Sequence, residues 1–178
     1  MGPPVVSFVS KKNSGKTTFL EKLIAELRGR GYRVGTVKHD GHGFDIDHEG
    51  KDTWRHKQAG ARTVVISSPR KLAMVKDVAE ETSLDEIVAR YLSDMDIVLT
   101  EGYKKGKKPQ IEIFRRAAHA TPLHTKEHPG TLVAVLSDTP VDLGVPQFNI
   151  NAAGDVADFI ENRFLTPNPI PSQDPGKL

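Results

Sequence analysis

Cysteine occurs nowhere in the 178 residues, which excludes disulfides and thiolate metal sites and fits a reducing cytosol. No apolar run approaches the roughly 20 residues that span a bilayer, so no membrane segment is expected. Met1-Gly2-Pro3-Pro4 lacks the basic region and apolar core of a secretory signal and leads straight into a strand, so a cytoplasmic chain is expected. No internal repeat is found. The net charge is only +2, with acids and bases mixed along most of the chain, although the pI is about 8.8. A nucleic-acid partner is therefore not expected. The one basic patch, Lys104, Lys105, Lys107 and Lys108, reads as a solvated loop, the alternative being a binding surface for phosphate or a partner, and lacks the interleaved aromatics of an RNA-binding surface.

What remains is an ordinary globular composition, 37% apolar and 27% charged, in a length that suits one α/β domain. Val5 to Val9 reads as a buried strand, followed by the polar, small-residue stretch Ser10 to Gly15. Phe19, Leu20, Leu23, Ile24 and Leu27 then recur at helical spacing until Gly29 and Gly31. Val34 to Lys38 reads as a second strand, so the chain opens with a βαβ unit. His39 to Lys51 is polar and rich in Gly, Asp and His, hence a surface loop, and Asp52 or Thr53 is the expected cap of a short helix. Two short apolar runs, Thr63 to Ile66 and Leu72 to Val75, flank Ser67-Ser68-Pro69-Arg70 and read as a β-hairpin. That hairpin predicts a mixed sheet. Leu84, Ile87, Val88 and Leu92 mark a helix, residues 96–100, 111–114, 132–136 and 148–150 strands, and Val156, Phe159, Ile160 and Phe164 a last helix. Alternating prolines after Leu165 cannot continue that helix, so 166–178 is expected to be an extended or disordered tail.

Asn13-Ser14-Gly15-Lys16-Thr17-Thr18 falls between the first strand and the first helix, the context in which a Walker A match carries meaning. Backbone N–H groups heading a helix lack intrahelical partners, and the helix dipole makes that end positive, so a phosphate chain suits it. Gly15 lets the backbone approach the phosphates, Lys16 reaches the β- and γ-phosphates, and the Thr17 hydroxyl is a Mg²⁺ ligand. Asn13, Ser14 and Thr18 complete the expected phosphate loop. Ser10 replaces the loop's usual first glycine, so that turn must be made in an ordinary backbone conformation.

A second carboxylate is expected to order Mg²⁺ and its waters. Asp96 opens the central strand and Glu101 ends it. Ligands of open α/β sheets bind beyond the carboxyl ends of the strands, which selects Glu101, with Lys16 the other catalytic candidate. The same rule brings forward the loop from Lys38 to Asp47. Asp40 and Asp47 are its expected contacts to Mg²⁺-bound water, and Asp47 joins Thr17 and Glu101 as the metal set. His39, His42 and His48 follow no zinc-ligand spacing. The fold class predicted is α/β: a P-loop NTPase-like mixed, mostly parallel sheet flanked by helices, in a single domain over residues 1–165.

These segments together resemble the MobB family of molybdopterin-guanine dinucleotide biosynthesis adaptors. The resemblance rests on Asn13 to Thr18, Gly35-Thr36-Val37-Lys38-His39, and Asp47-His48-Glu49-Gly50-Lys51-Asp52-Thr53. It continues through Ala59-Gly60-Ala61, Leu99-Thr100-Glu101-Gly102-Tyr103-Lys104 and Val133-Ala134-Val135-Leu136-Ser137-Asp138. It implies a homodimer that binds GTP with Mg²⁺, hydrolyses it weakly, and helps a MobA-like guanylyltransferase attach GMP to molybdopterin. Molybdopterin itself is a further candidate contact. The Asn-Lys-x-Asp element of common GTPases is missing. Asp138, at a strand end on the ligand side, is the candidate guanine contact, the alternative being a turn aspartate before Thr139-Pro140. Lys11 stands where related dimeric P-loop proteins carry a lysine that reaches across the dimer.

The main rival is an ATP-dependent small-molecule kinase or ligase of the P-loop class, which would need an acceptor pocket and an arginine-rich lid. Neither is visible. A metal-delivery GTPase commonly uses cysteine, absent here. No arginine finger stands out, since Arg55, Arg62 and Arg115 have no assigned place, so hydrolysis is expected to be slow.

Overall fold

Hydrogen bonding between the short apolar runs decides their order. The computed structural model describes residues 2–165, and the expected tail, 166–178, lies outside the described residues. Its elements are β1 (Val5–Val9), α1 (Lys16–Gly29), β2 (Val34–Lys38), α2 (Asp52–Gln58), β3 (Thr63–Ser68) and β4 (Lys71–Lys76). They continue with α3 (Leu84–Tyr91), β5 (Ile97–Glu101), β6 (Gln110–Phe114), β7 (Leu132–Ser137), β8 (Gln147–Asn149) and α4 (Ala153–Phe164). Contacts divide the chain into two compact units: one runs to His39 and resumes at Val88, the other is Asp40–Ile87.

In the first unit six strands pair in the order β2-β5-β1-β6-β7-β8, each neighbouring pair parallel. A parallel sheet needs both faces covered. One face presents Val6, Phe8, Ile97, Leu99, Ile111, Ile113, Ala134 and Leu136, all buried, to Phe19, Leu20, Leu23 and Leu27 of α1 and to Val156, Ala157 and Ile160 of α4. Side chains alternate along a strand, so the other face carries the intervening residues. There Val5, Val9, Val98, Phe114 and Val135 are joined by five buried polar side chains, Ser7, Thr100, Gln110, Glu112 and Ser137. The Thr100 and Ser7 hydroxyls bond each other at 2.8 Å.

The second unit holds α2 and the hairpin of β3 and β4, antiparallel from Thr63↔Lys76 to Ser68↔Lys71. The sequence places this hairpin in the main sheet. Its hydrogen bonds instead close on themselves as a separate two-stranded sheet, so the mostly parallel α/β architecture stands without an antiparallel member. The cap of α2 also differs. Lys51, extended at φ −77° and ψ 162°, occupies the N-cap, and Asp52 is the first helical residue. Thr53 directs its hydroxyl to Asp47 Oδ1 at 3.1 Å and so takes no capping role.

At the amino ends of β2 and β5, Asp96 grips Arg33. Its Oδ1 accepts from Nη2 at 2.7 Å, and its Oδ2 accepts from the backbone N–H at 2.7 Å and from Nε at 3.2 Å. Hydrogen bonding from Arg33 holds the Asp96 carboxyl below its ordinary 3.8. Asp96 is thus structural, at the edge away from the expected ligand. A depressed folded-state value gives stability that is fully present above about pH 4 and is lost as the pH falls through the folded value. Asp96→Asn is expected to cost up to about 1 kcal/mol at neutral pH and progressively less below about pH 4, read by urea unfolding across that range.

Candidate nucleotide site

β1 ends at Val9, and the chain turns through Ser10–Gly15 into α1. Ser10 is buried and keeps an ordinary backbone conformation, as its side chain requires. The left-handed positions are Asn13, at φ 60°, and Gly15, at φ 80°. Asparagine tolerates that region and glycine enters it without a Cβ clash. Gly15 is the N-cap of α1, and its carbonyl accepts the Phe19 N–H at 3.0 Å. No side chain caps the helix and its first turn carries no acid, so its leading amides and dipole are left to an outside anion. Ser14 Oγ donates to the Lys11 carbonyl at 3.1 Å and closes the loop. Asn13 and Thr18 are exposed on it.

Two side chains of this loop meet Glu101. Lys16 Nζ donates to Ser10 Oγ at 3.2 Å and lies 3.5 Å from Glu101 Oε1. Thr17 Oγ1 lies 3.2 Å from each Glu101 carboxylate oxygen. Strand register explains the meeting: β5 runs between β2 and β1, with Glu101 opposite Lys38 on one side and Phe8 on the other. Gly102 then turns the chain at φ 104°, its N–H donating to the Phe8 carbonyl at 3.1 Å. A Cβ there would lie 3.3 Å from His39 Cβ and 3.4 Å from its carbonyl oxygen, which favours glycine directly after the carboxylate. The His39 N–H donates to the Glu101 carbonyl at 2.9 Å, and its ring lies 4.8 Å from that of Tyr103.

A buried polar chain supports the segment beyond Gly102. The Gln110 amide nitrogen lies 3.3, 3.1 and 3.3 Å from the carbonyls of Tyr103, Lys104 and Gly106. Those carbonyls only accept, so the amide orientation is set and Oε1 faces His124 Nε2 at 3.1 Å. His124 Nδ1 lies 2.8 Å from Glu112, whose carboxylate also accepts the N–H groups of Leu123 and His124 at 2.5 and 3.0 Å. The sequence reading missed all three residues. Gln110 and Glu112 alternating within an apolar strand were the available signal, because period-2 placement sends both to one face.

The remaining candidates are placed as follows. Asp138 closes β7. Its Oδ1 accepts the Arg116 N–H at 2.9 Å, and with Ser137, Thr139, Gln147 and Asn149 it lines an open depression of about 430 Å³. Asp47 belongs to the Asp40–Ile87 unit, where its Oδ1 accepts from the His48 N–H at 2.8 Å and from Thr53. Asp40 accepts the His42 N–H at 2.9 Å. Both aspartates thus hold local turns. Lys11 donates within its own chain, from Nζ to the Thr121 carbonyl at 2.7 Å and to its hydroxyl at 3.0 Å. Among the described residues no group of three or more His, Asp or Glu is placed to hold a metal ion, the loop histidines included.

A wholly parallel sheet around β1, feeding an uncapped helix through this loop, is the architecture of the P-loop NTPase-like class of α/β folds. Comparison with known proteins narrows that class: residues 5–138 match the model of Molybdopterin guanine dinucleotide synthesis protein B, and the chain belongs to this family, MobB. The molybdopterin-guanine dinucleotide biosynthesis adapter protein of Haemophilus influenzae is 36% identical over 160 residues, 89% of this chain and 88% of its own length. That of Escherichia coli K12 is 35% identical over 162 residues, 88% and 91% of the two chains. A crystal structure of molybdopterin-guanine biosynthesis protein B matches with a TM-score of 0.68 at 36% identity, over 89% of this chain and 97% of that one. Bacillus subtilis MobB gives 0.73 at 25% identity, over 93% and 99%. The family resemblance read from the sequence is borne out.

Glu112 is 1% exposed and accepts from three donors, so replacing it strands them. Glu112→Leu is expected to lower stability by roughly 3–5 kcal/mol, measured by urea unfolding.

Proposed function

We propose that the chain is a cytoplasmic GTP-binding adapter in molybdopterin guanine dinucleotide synthesis, serving a MobA-like guanylyltransferase. The observation that carries this reading is the convergence of Lys16, Thr17 and Glu101 at the uncapped head of α1, in a chain of this family. In it, the amides of Asn13 to Thr18 take the phosphates, and Lys16 exchanges Glu101 for the β- and γ-phosphates. Thr17 and Glu101 are the residues that would hold Mg²⁺, a hard cation suited to oxygen donors, which would offset charge on the phosphates. Asp138 sits at the end of β7 beside a depression open to a base, and is the proposed guanine contact. No strong general base or arginine finger stands out in the sequence, so the reading is of at most a slow GTPase, turning over well below about 1 s⁻¹.

Family membership and the name of the relatives, adapter proteins, support a partner enzyme. The hairpin supports a homodimer. Val65, Ile66 and Leu72 are 52, 57 and 72% exposed on a two-stranded sheet, an arrangement that gains stability when a second copy covers it. Leu72→Glu is expected to run as a monomer in light scattering where the native chain runs as a dimer.

Lys16→Ala is expected to abolish binding of a fluorescent GTP analogue while leaving the circular dichroism unchanged. Unlabelled GTP should displace the analogue better than ATP. Preference for ATP would favour the kinase or ligase reading. Copurification with a MobA-like enzyme should strengthen with GTP and Mg²⁺, and binding that ignores nucleotide would count against a nucleotide-controlled adapter.

A further inference from the structure

Arg115 directly follows β6, the neighbour of β1, and is half-buried. Its carbonyl accepts the N–H groups of Ala118 and His119, both at 3.0 Å, which fixes the turn it starts. Its guanidinium rests against Gly15. A Cβ built at Gly15 would lie 3.3 Å from Arg115 Nη2 and 4.0 Å from both Cζ and Nε, and its three nearest atoms all belong to this one side chain.

Three other arginines are engaged. Arg30 holds Glu26, Asp158 and Glu161; Arg33 holds Asp96; Arg116 holds the Ala120 carbonyl. The Arg115 guanidinium makes no hydrogen bond or ion pair among the described residues. It is also not a freely swinging surface group. The segment it begins is fastened to the loop, through His119 Nε2 on the Lys12 carbonyl at 2.5 Å and through Lys11 Nζ on Thr121.

The fold therefore brings two cations, Lys16 and Arg115, to a helix head that is itself positive. Among the described residues the Glu101 carboxylate answers Lys16 and Thr17. Like charges gathered this way repel unless an anion of several charges lies among them, and a polyphosphate supplies those charges. The planar fork of arginine matches two phosphate oxygens at once.

We propose that Arg115 is a phosphate-binding residue of the nucleotide cradle, supplied by the chain itself and acting beside Lys16. This deepens the nucleotide reading and rests on it. The test uses the full chain, titrated with a fluorescent GTP analogue in the presence of Mg²⁺ and then displaced with inorganic tripolyphosphate. Arg115→Ala is expected to weaken both ligands by about 10- to 100-fold, the loss of one charge-assisted contact, with Arg115→Lys recovering only part. Arg115→Gln, close in length, keeps the test decisive should the alanine chain misfold. Native affinity for both ligands in Arg115→Gln overturns the proposal, as does a loss confined to GTP, because the contact is to phosphate and not to base. A native chain that binds neither ligand overturns the nucleotide reading as well. Binding that is lost in Lys16→Ala and kept in Arg115→Gln overturns the Arg115 assignment alone.

Discussion

The unpaired amides at the head of α1 are the constraint around which this chain is arranged. A helix start ordinarily finds an acceptor in a serine, threonine or aspartate cap, a gain of about 1 kcal/mol. Here Gly15 holds that position in a left-handed conformation and, among the described residues, no side-chain cap bond satisfies the amides. An acid in the first turn would have offset the dipole, and the first turn has none. The forgone stabilisation is small beside the several kcal/mol that a bound polyphosphate can return through charge-assisted contacts. Leaving this helix uncapped is cheap for folding and, on the proposed nucleotide reading, useful for binding.

What holds that helix head in place is the sheet order. β1 sits between β5 and β6, so residues that end those two strands arrive on either side of the loop that β1 feeds. Glu101 comes from one neighbour and Arg115 from the other. The site is thereby built on strand ends whose hydrogen bonds are buried, with Phe8, Ile97, Leu99 and Ile111 fully excluded from solvent beneath it. Positions set by a parallel ladder carry less freedom than positions on a free loop, which suits a cradle whose contacts depend on distances of about 3 Å.

The polar face of the same sheet has a different energetic logic. Gln110, Glu112 and His124 gain little net stability over apolar replacements, since desolvation offsets most of what their bonds return. Their value is geometric. One amide group takes up the carbonyls of Tyr103, Lys104 and Gly106, and so settles the path of the chain just past Glu101 and Gly102. Every member is satisfied, and no buried side-chain nitrogen or oxygen lacks a partner among the described residues. Such a chain tolerates no half-measures, because any one removal exposes the rest to an unpaired, buried environment.

Much of this was legible in the residues alone, and the reason is locality. The strand–loop–helix of Val5 to Leu27, and the placing of Glu101 and Asp96 at opposite ends of one strand, follow from spacing and period. The hairpin was legible as a hairpin, but not its separation from the main sheet, because edge pairing is a competition among strands far apart in sequence. The cap of α2 turned on whether Thr53 would spend its hydroxyl on Asp47, a contact no propensity encodes. The alternation of Gln110 and Glu112 was there to be read, but their meeting with His124 and the placing of Arg115 against Gly15 needed the tertiary structure. Each joins segments whose proximity depends on β6 lying beside β1, and strand order is written in the packing of the whole sheet and not in any one stretch of chain.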